Sequence, residues 1–348
     1  MTAKVSNFVF WRRAANCYRF VFLKCFIVFW VYSIHLYSKT NDFVERRHFI
    51  QSLAGAAILP AVSFTNKEEF LPVSCNQYSW ITFYNREGRE WAADPDVSLK
   101  EFASTGIKAY EPAFNHAGEV TKLLPFLKKY QLVMPSVYVN SALHKKDDAQ
   151  KSIDSVLAIA DALKAANTKI IVTNPSPLAW GSAENKSDEE LIEQAKNMDK
   201  LGAELRKRGM KLAYHTHDVE LRAAAREFHH TLQATNPENV SLCLDVHWVY
   251  RGSGNSQVAL FDIVKMYGKR ITELHIRQSK NGIWQESFGE GDVDYPRLVT
   301  TLSEMKVRPH LVLEQCLEKQ SPNTMNSVAA HKADLAAVRT VFGKWVSK

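Results

Sequence analysis

Several short apolar runs in this chain end in residues of the types that bind metal ions. They are residues 211–217, which end in His215 and His217, residues 240–247, with Asp245 and His247, residues 271–275, with His275, and residues 310–314, with Glu314. Apolar runs of this length between turn signals are typical of buried strands. A His, Asp or Glu that ends such a strand is costly to bury unless it is paired or holds an ion.

These residues could form one metal site if their strands belong to the same barrel. The carboxyl ends of the strands in a βα barrel meet at one face, where active sites lie. We therefore predict a single divalent-metal site with His215, Asp245, His275 and Glu314 as ligands. Mixed nitrogen and oxygen ligands suit Mn²⁺, Zn²⁺, Co²⁺, Fe²⁺ or Mg²⁺ and do not choose among them.

The rest of the body alternates strand and helix patterns. Strands are predicted at 73–78, 108–111, 132–139, 169–172, 211–215, 240–245, 271–276 and 310–314, and amphipathic helices at 147–166, 187–208, 258–267, 295–305 and 331–344. Ser187 with Glu190 is a capping-box pattern, and Asp294 before Tyr295 and Pro296 is a helix-start pattern. Eight such units predict one (β/α)8 TIM barrel over residues 67–348, with a doubly wound sheet as the alternative.

Strand periodicity predicts which of these side chains share a face. With a period of two, His215 lies beside His217 and Asp245 beside His247. By the same rule Glu273 lies on the face of His275 and could orient it from behind.

The positive charge of the chain belongs to its N-terminal region. Residues 1–63 hold eight of the 44 basic residues and two of the 37 acidic ones, so the remainder has 36 basic and 35 acidic residues. This balance predicts no nucleic-acid partner for the body.

Residues 1–66 read as a targeting region rather than as part of the barrel. Arg46 and Arg47, then Phe49 and an apolar stretch to Ser63, resemble a twin-arginine export signal at residues 45–63. This predicts the twin-arginine translocase as a partner and a periplasmic or otherwise exported protein. Residues 20–37 could span a membrane and anchor the chain, unless residues 1–43 are a gene-start artefact.

The five cysteines do not predict a disulfide framework. Cys17 and Cys25 lie in the N-terminal region. Cys75, Cys243 and Cys316 lie in or beside predicted strands, where a free thiol behaves as a small apolar group.

Four motifs, in order along the chain, resemble the sugar phosphate isomerase/epimerase superfamily of xylose isomerase-like TIM barrels. They are residues 214–220 (YHTHDVE), residues 244–252 (LDVHWVYRG), His275 with residues 289–295 (GEGDVDY), and residues 313–315 (LEQ). The resemblance covers about residues 70–345. It implies metal ligands at Asp245, His275 and Glu314, whereas His215 stands where many members have a glutamate that acts as a second base.

The resemblance and the site together predict enolisation at one divalent metal ion. We expect Glu314 to act as the base and His217 or His247 as the partner acid/base, with Glu111, Arg277 and Trp248 binding the substrate. The expected substrate is a small keto-sugar or polyol.

Several activities fit this prediction. Isomerisation or epimerisation is the default for the superfamily. A lyase or dehydratase acting on a 3-keto-glycoside or related keto-sugar is the alternative, because the substitution at His215 removes one base. A noncatalytic sugar-binding barrel is a further alternative, and a DNA-repair barrel is disfavoured by the neutral body. The oligomeric state is not predicted.

Overall fold

The computed structural model describes residues 72–343, 345 and 346. The predicted export signal at residues 45–63 and the candidate membrane span at residues 20–37 lie outside this part of the chain. Within the described residues no helix is both long and apolar enough to cross a membrane.

Eight parallel strands form the barrel. In chain order they are β1 (Ser74–Asn76), β2 (Ala109–Glu111), β3 (Ser136–Tyr138), β4 (Ile170–Thr173), β5 (Lys211–Tyr214), β6 (Val240–Asp245), β7 (Ile271–Ile276) and, after a short hairpin of β8 (Ser279–Lys280) and β9 (Ile283–Trp284), β10 (His310–Leu313). Their order in the sheet is β2-β1-β10-β7-β6-β5-β4-β3. Backbone hydrogen bonds from Tyr110 N to Val133 O and from Tyr138 N to Pro112 O, both 2.9 Å, close the ring beside β2 and β3. The predicted (β/α)8 barrel is confirmed, and the doubly wound sheet is excluded.

Helices follow the strands and cover the outside of the barrel. They are α1 (Gln77–Arg86), α2 (Pro95–Ser104), α3 (Ala117–Lys129), α4 (Lys146–Leu163), α5 (Asp188–Lys207), α6 (Arg222–Ala234), α7 (Val246–Gly252), α8 (Gln257–Tyr267), α9 (Tyr295–Glu304) and α10 (Ser327–Val341). The predicted capping box of Ser187 and Glu190 starts α5, and Asp294 caps α9 through the backbone N–H of Arg297, as predicted. Both caps satisfy backbone donors that a helix start leaves unpaired.

At the ends of two strands, sequence periodicity predicts a strand where the structure has the start of a helix. The first predicted strand, 73–78, stops at Asn76, because the Asn76 side chain accepts a hydrogen bond from Tyr78 N and starts α1. Asp245 does the same for α7 by accepting from Trp248 N at 2.7 Å. His247 therefore lies on a helix, and the prediction that it shares a strand face with Asp245 is wrong.

Small and branched side chains fill the barrel interior. Ile170, Val172, Ala213 and Cys243 pack together there, and Tyr138 lies against them. A much larger apolar cluster lies between the strands and the helices. Cys75, Cys243 and Cys316 are free and buried, so for these three thiols the expected absence of disulfide bonds is confirmed.

Candidate active site

The four predicted metal ligands meet at the carboxyl ends of the strands. His215 follows β5, Asp245 ends β6, His275 lies on β7 and Glu314 follows β10. Each offers one ligand atom, and these atoms lie within 4.8 Å of one another. Their burial is nearly complete, since Glu314 is the most exposed at 6%.

The ligand atoms face one another, and those of His215, Asp245 and His275 have no hydrogen bond within the described part of the chain that would satisfy them. His215 Nε2 lies 3.5 Å from Asp245 Oδ2, and His275 Nδ1 lies 3.4 Å from Glu314 Oε2. Three of these atoms, His215 Nε2, Asp245 Oδ2 and His275 Nδ1, are buried and have no hydrogen-bond partner among the described residues. Buried polar atoms are normally satisfied. Converging, unsatisfied nitrogen and oxygen donors are the arrangement that a divalent cation fits.

Polar groups lie behind the rings of both candidate histidine ligands. The Tyr138 hydroxyl lies 3.5 Å from His215 Nδ1, which leaves Nε2 facing the site. On His275 Nδ1 faces Glu314, while Nε2 lies 3.1 Å from Glu111 Oε2 and 3.3 Å from Glu273 Oε1 without a hydrogen bond to either. Carboxylates in this position behind a histidine ligand are the groups that orient its ring when an ion is bound.

Arg277 supplies the nearest positive charge. Its Nη2 donates to Glu314 Oε2 at 2.7 Å and lies 3.7 Å from Asp245 Oδ2. Burial opposes ionisation of Glu314, but the Arg277 guanidinium and His275 outweigh it and hold the pKa of this carboxyl far below its usual range. Glu314 is therefore ionised, as a metal ligand or a base must be. Arg277 Nη1 is buried and has no hydrogen-bond partner among the described residues.

Glu314, alone of the four candidate ligands, lines a cavity of about 540 Å³. Polar side chains that line it include Asn76, Asn140, His217, Asp218, Arg277 and Glu314, and its aromatic side chains are Tyr78, Tyr138, Trp180, Trp248 and Trp284. Cavities of roughly this size, apolar with a few convergent polar groups, are typical of small-molecule sites.

His217 and His247, both predicted to be catalytic, take different places. His217 lines the cavity, its ring 4.9 Å from that of His215. Burial, reinforced by the nearby His215, lowers the pKa of His217 well below its usual value, so its imidazole is neutral. His247 lies behind the wall, where its Nε2 contacts Ser279 Oγ at 2.9 Å. Burial, with Arg277 next in importance, lowers the pKa of His247 to about 3.

The three predicted substrate-binding residues are also placed differently. Arg277 and Trp248 line the cavity, with the guanidinium 5.3 Å from the Trp248 ring. Glu111 is fully buried behind His275 and accepts hydrogen bonds from Asn76 Nδ2 at 2.6 Å and Ser136 Oγ at 2.9 Å. This position favours a role in orienting His275. The substrate contact predicted for Glu111 stays a prediction.

Sequence reasoning missed several cavity residues on the first strands. Asn76 ends β1 and Tyr138 ends β3, and both line the cavity. The rule that found the metal ligands, a polar residue closing a strand, also applies to these two. Asn140 and Trp284 lie beyond strand ends or on the β8–β9 hairpin, where no comparable sequence signal exists.

A family model for xylose isomerase-like TIM barrels matches residues 99–340. The chain belongs to this family. The match covers most of the barrel and includes all four candidate ligands.

Proteins that are similar to this chain have several different activities. An inosose dehydratase of Clostridium perfringens is 23% identical over 246 residues, which are 62% of this chain and 80% of that protein. A xylose isomerase-like TIM barrel protein of Mycobacterium smegmatis, solved with magnesium, superposes with a TM-score of 0.61 at 12% identity over 80% of this chain and 99% of its own. D-allulose 3-epimerase of Methylomonas sp., solved with D-allulose, has a TM-score of 0.57 at 18% identity, with coverages of 80% and 98%.

Proposed function

We propose that this protein is a divalent-metal-dependent lyase or dehydratase that enolises a keto-sugar or keto-polyol. The observation that carries the proposal is the convergence of four buried ligand atoms, one of them from Glu314, which lines the same cavity as the His217 imidazole. Similarity to inosose dehydratases supports loss of water as the reaction type.

The ion would be held by His215, Asp245, His275 and Glu314. A divalent ion at such a site supplies a Lewis acid that polarises a carbonyl group and stabilises the negative charge of an enolate. Arg277 Nη1 is free to donate to a carbonyl or hydroxyl oxygen of the substrate in the cavity.

Glu314 and His217 then divide the proton transfers. The ionised Glu314 carboxylate removes the proton from the carbon beside the carbonyl group. His217, which is neutral at the start, accepts this proton from Glu314 and gives it to the leaving oxygen of the β-substituent. The C–H electrons form the new C=C bond as the C–O bond breaks, and water or an alcohol departs.

The choice of His215 as a ligand favours this asymmetric pair over two equivalent bases. A carboxylate ligand keeps a second oxygen that can accept a proton. An imidazole that binds an ion through Nε2 keeps only Nδ1, which here faces the Tyr138 hydroxyl. The second proton-transfer group must therefore come from outside the ligand set, and His217 is the cavity imidazole among the described residues.

Epimerisation or isomerisation is the second candidate, and it is favoured by the fold shared with D-allulose 3-epimerase and L-ribulose 3-epimerase. It uses the same first step, but His217 would return a proton to carbon. Binding without chemistry would identify the noncatalytic barrel.

One experiment distinguishes these outcomes. The protein, loaded in turn with Mn²⁺, Mg²⁺, Co²⁺ or Zn²⁺, is incubated in D₂O with a panel of keto-sugars, keto-glycosides and inososes and followed by NMR and ultraviolet absorbance. Loss of a β-substituent with growth of enone absorbance supports the lyase proposal. Deuterium incorporation with retention of all substituents overturns it in favour of epimerisation, and metal and sugar binding without exchange overturns both.

We also propose export through the twin-arginine route to the periplasm. Support comes from Arg46, Arg47 and Phe49 ahead of the apolar stretch that ends at Ser63. Replacing both arginines by lysine should retain the full-length protein in the cytoplasm, and cell fractionation measures this. Unchanged export of the double variant would contradict the proposal.

A further inference from the structure

We propose that the outer part of the cavity binds the ring of an aglycone, so that the substrate is a glycoside rather than a free monosaccharide. This inference rests on the proposed function for the sugar end of the cavity. It concerns the opposite end, where Trp180 and Tyr78 line the same cavity.

The cavity has a buried polar end and an exposed aromatic end. Glu314 and Arg277 are nearly inaccessible, whereas Trp180 is 62% exposed and Tyr78 is 53% exposed. Ile81 lies three residues after Tyr78 on α1, and so on the same helix face, and it also lines the cavity. Exposed apolar side chains that are grouped at a cavity are typical of binding surfaces.

The backbone turn that carries Trp180 is held by hydrogen bonds. It lies in a tight turn in which Ser182 N donates to Ala179 O at 3.2 Å and Gly181 has a φ of +80°. Arg222 donates to Ser182 O at 2.8 Å and fastens the turn to the start of α6. Because the turn is already ordered, a ligand that stacks on Trp180 gains contact area with little further loss of conformational entropy.

Contacts of the indole place it beside the chemistry. The Trp180 ring lies 5.0 Å from the His217 ring at an interplanar angle of 88°. A group stacked on the free part of Trp180 would therefore be adjacent to a sugar whose leaving oxygen is near His217. In a glycoside, the glycosidic oxygen joins the sugar to the aglycone. With that oxygen near His217, the aglycone would lie against Trp180.

Trp284 does not offer a comparable surface. Arg277 lies 4.1 Å from the centre of its ring and Arg251 lies 4.7 Å from it. These cation–π contacts, together with its burial, leave Trp284 as part of the wall. Stacking of a second ring thus falls to Trp180 and Tyr78.

The size of the cavity agrees with two rings. At about 540 Å³ it falls among the pockets of roughly 300–1,000 Å³ that enclose drug-sized ligands. One sugar ring at the metal end would leave the Trp180 end filled with water against an aromatic face. A ring-shaped aglycone would remove that apolar surface from water.

Binding of unreactive glycosides tests the proposal without turnover. Isothermal titration calorimetry is carried out with 4-nitrophenyl glycosides of common hexoses and pentoses, each beside its methyl counterpart, and with disaccharides. We expect at least one ring-bearing glycoside to bind about tenfold more tightly than its methyl partner. Trp180→Ala should bring that ratio to within about twofold, whereas Trp180→Phe should retain part of it.

Ile192→Ala, at an exposed apolar residue of α5, is the matched control and should leave the ratio unchanged. A preference for disaccharides identifies a sugar as the aglycone, and a preference for nitrophenyl glycosides identifies an aryl group. No ring preference in any pair, no glycoside binding at millimolar concentration, or a preference that survives Trp180→Ala overturns the proposal. Ring preference without enolisation would sink the proposed function alone, and enolisation of free keto-sugars without ring preference would sink this inference alone.

Discussion

Buried histidines occupy two regions of this barrel, and their surroundings differ. At the carboxyl ends of the barrel strands, the unpaired atoms of His215 and His275 face the carboxylates of Asp245 and Glu314. In the outer layer, His331 of α10 donates from Nδ1 to Ser327 O at 2.7 Å and stacks on Trp80 at 4.2 Å. Both kinds are equally buried, so burial does not distinguish a ligand from a packing residue. What distinguishes them is their neighbours: the ligand-type nitrogens lie close to carboxylate oxygens, whereas the His331 ring is stacked on an indole.

The largest expected effect on divalent-ion binding comes from removing one negative charge from the candidate ligand set. Asp245→Asn should weaken divalent-ion binding by more than about 100-fold, because it removes a ligand and not only a group that orients one. Its amide oxygen can still accept from Trp248 N, so the cap of α7 is retained. Equilibrium dialysis with metal analysis measures the affinity. Thermal melting of the chelated protein is the control and should show no loss of stability.

A substitution at His217 distinguishes an effect on catalysis from an effect on ion binding at the same site. His217→Gln should lower kcat by about 10²–10⁴-fold, the contribution typical of a general acid or base. Divalent-ion content should not change, since His217 is outside the ligand set. Unchanged kcat would remove His217 from the mechanism, and loss of the ion would place it among the ligands.

Glu111 tests whether the group behind a ligand matters. Glu111→Gln should weaken ion binding by about 10–100-fold, because the carboxylate beside His275 Nε2 is lost. Glu101→Gln, at a carboxylate paired with Arg89 outside the barrel, is the control. Equal affinities of the wild type and Glu111→Gln for Mn²⁺, measured by electron paramagnetic resonance, would rule out the orienting role.

His331 should contribute to the pH dependence of the free energy of unfolding without affecting divalent-ion affinity. Burial lowers the pKa of His331 to about 4, below the value of about 6.5 expected in the unfolded chain. The unfolded state therefore takes up a proton first, and the stabilisation present above pH 6.5 is lost as the pH falls towards 4, by about 3 kcal/mol in all.

Both His331→Gln and His331→Phe should remove this part of the pH dependence, whatever their effect at neutral pH. Urea unfolding at intervals of half a pH unit, with divalent-ion affinity measured alongside, gives both quantities. A slope equal to that of the wild type would show that His331 is protonated equally in the folded and unfolded states.

Much of the fold and the ligand set could be predicted because both follow from local patterns. Apolar runs between turn signals marked all eight barrel strands, and polar residues at their ends marked His215, Asp245, His275 and Glu314. The error at His247 arose because Asp245 acts both as a strand end and as a helix cap, and periodicity cannot detect that change of element.

The cavity wall could be predicted much less well. Trp180 depends on a turn fastened by Arg222, and Glu111 depends on the closeness of β2 to His275 across the barrel. Trp80 is fully buried and stacks on His331. These contacts join residues far apart in the sequence, so no local pattern reports them.

The Arg277 contact has a consequence for how an ion enters and leaves. The guanidinium touches Glu314 and approaches Asp245, so one fixed positive charge offsets part of the negative charge of the proposed ligand set. The two carboxylates can therefore lie close together in the folded protein even without an ion. A divalent ion that binds here would compete with the Arg277 guanidinium for Glu314. This competition would lower the affinity of the site for the ion and make exchange of one metal for another easier. The identity of the working ion would then follow the metal supply of the compartment in which the protein folds.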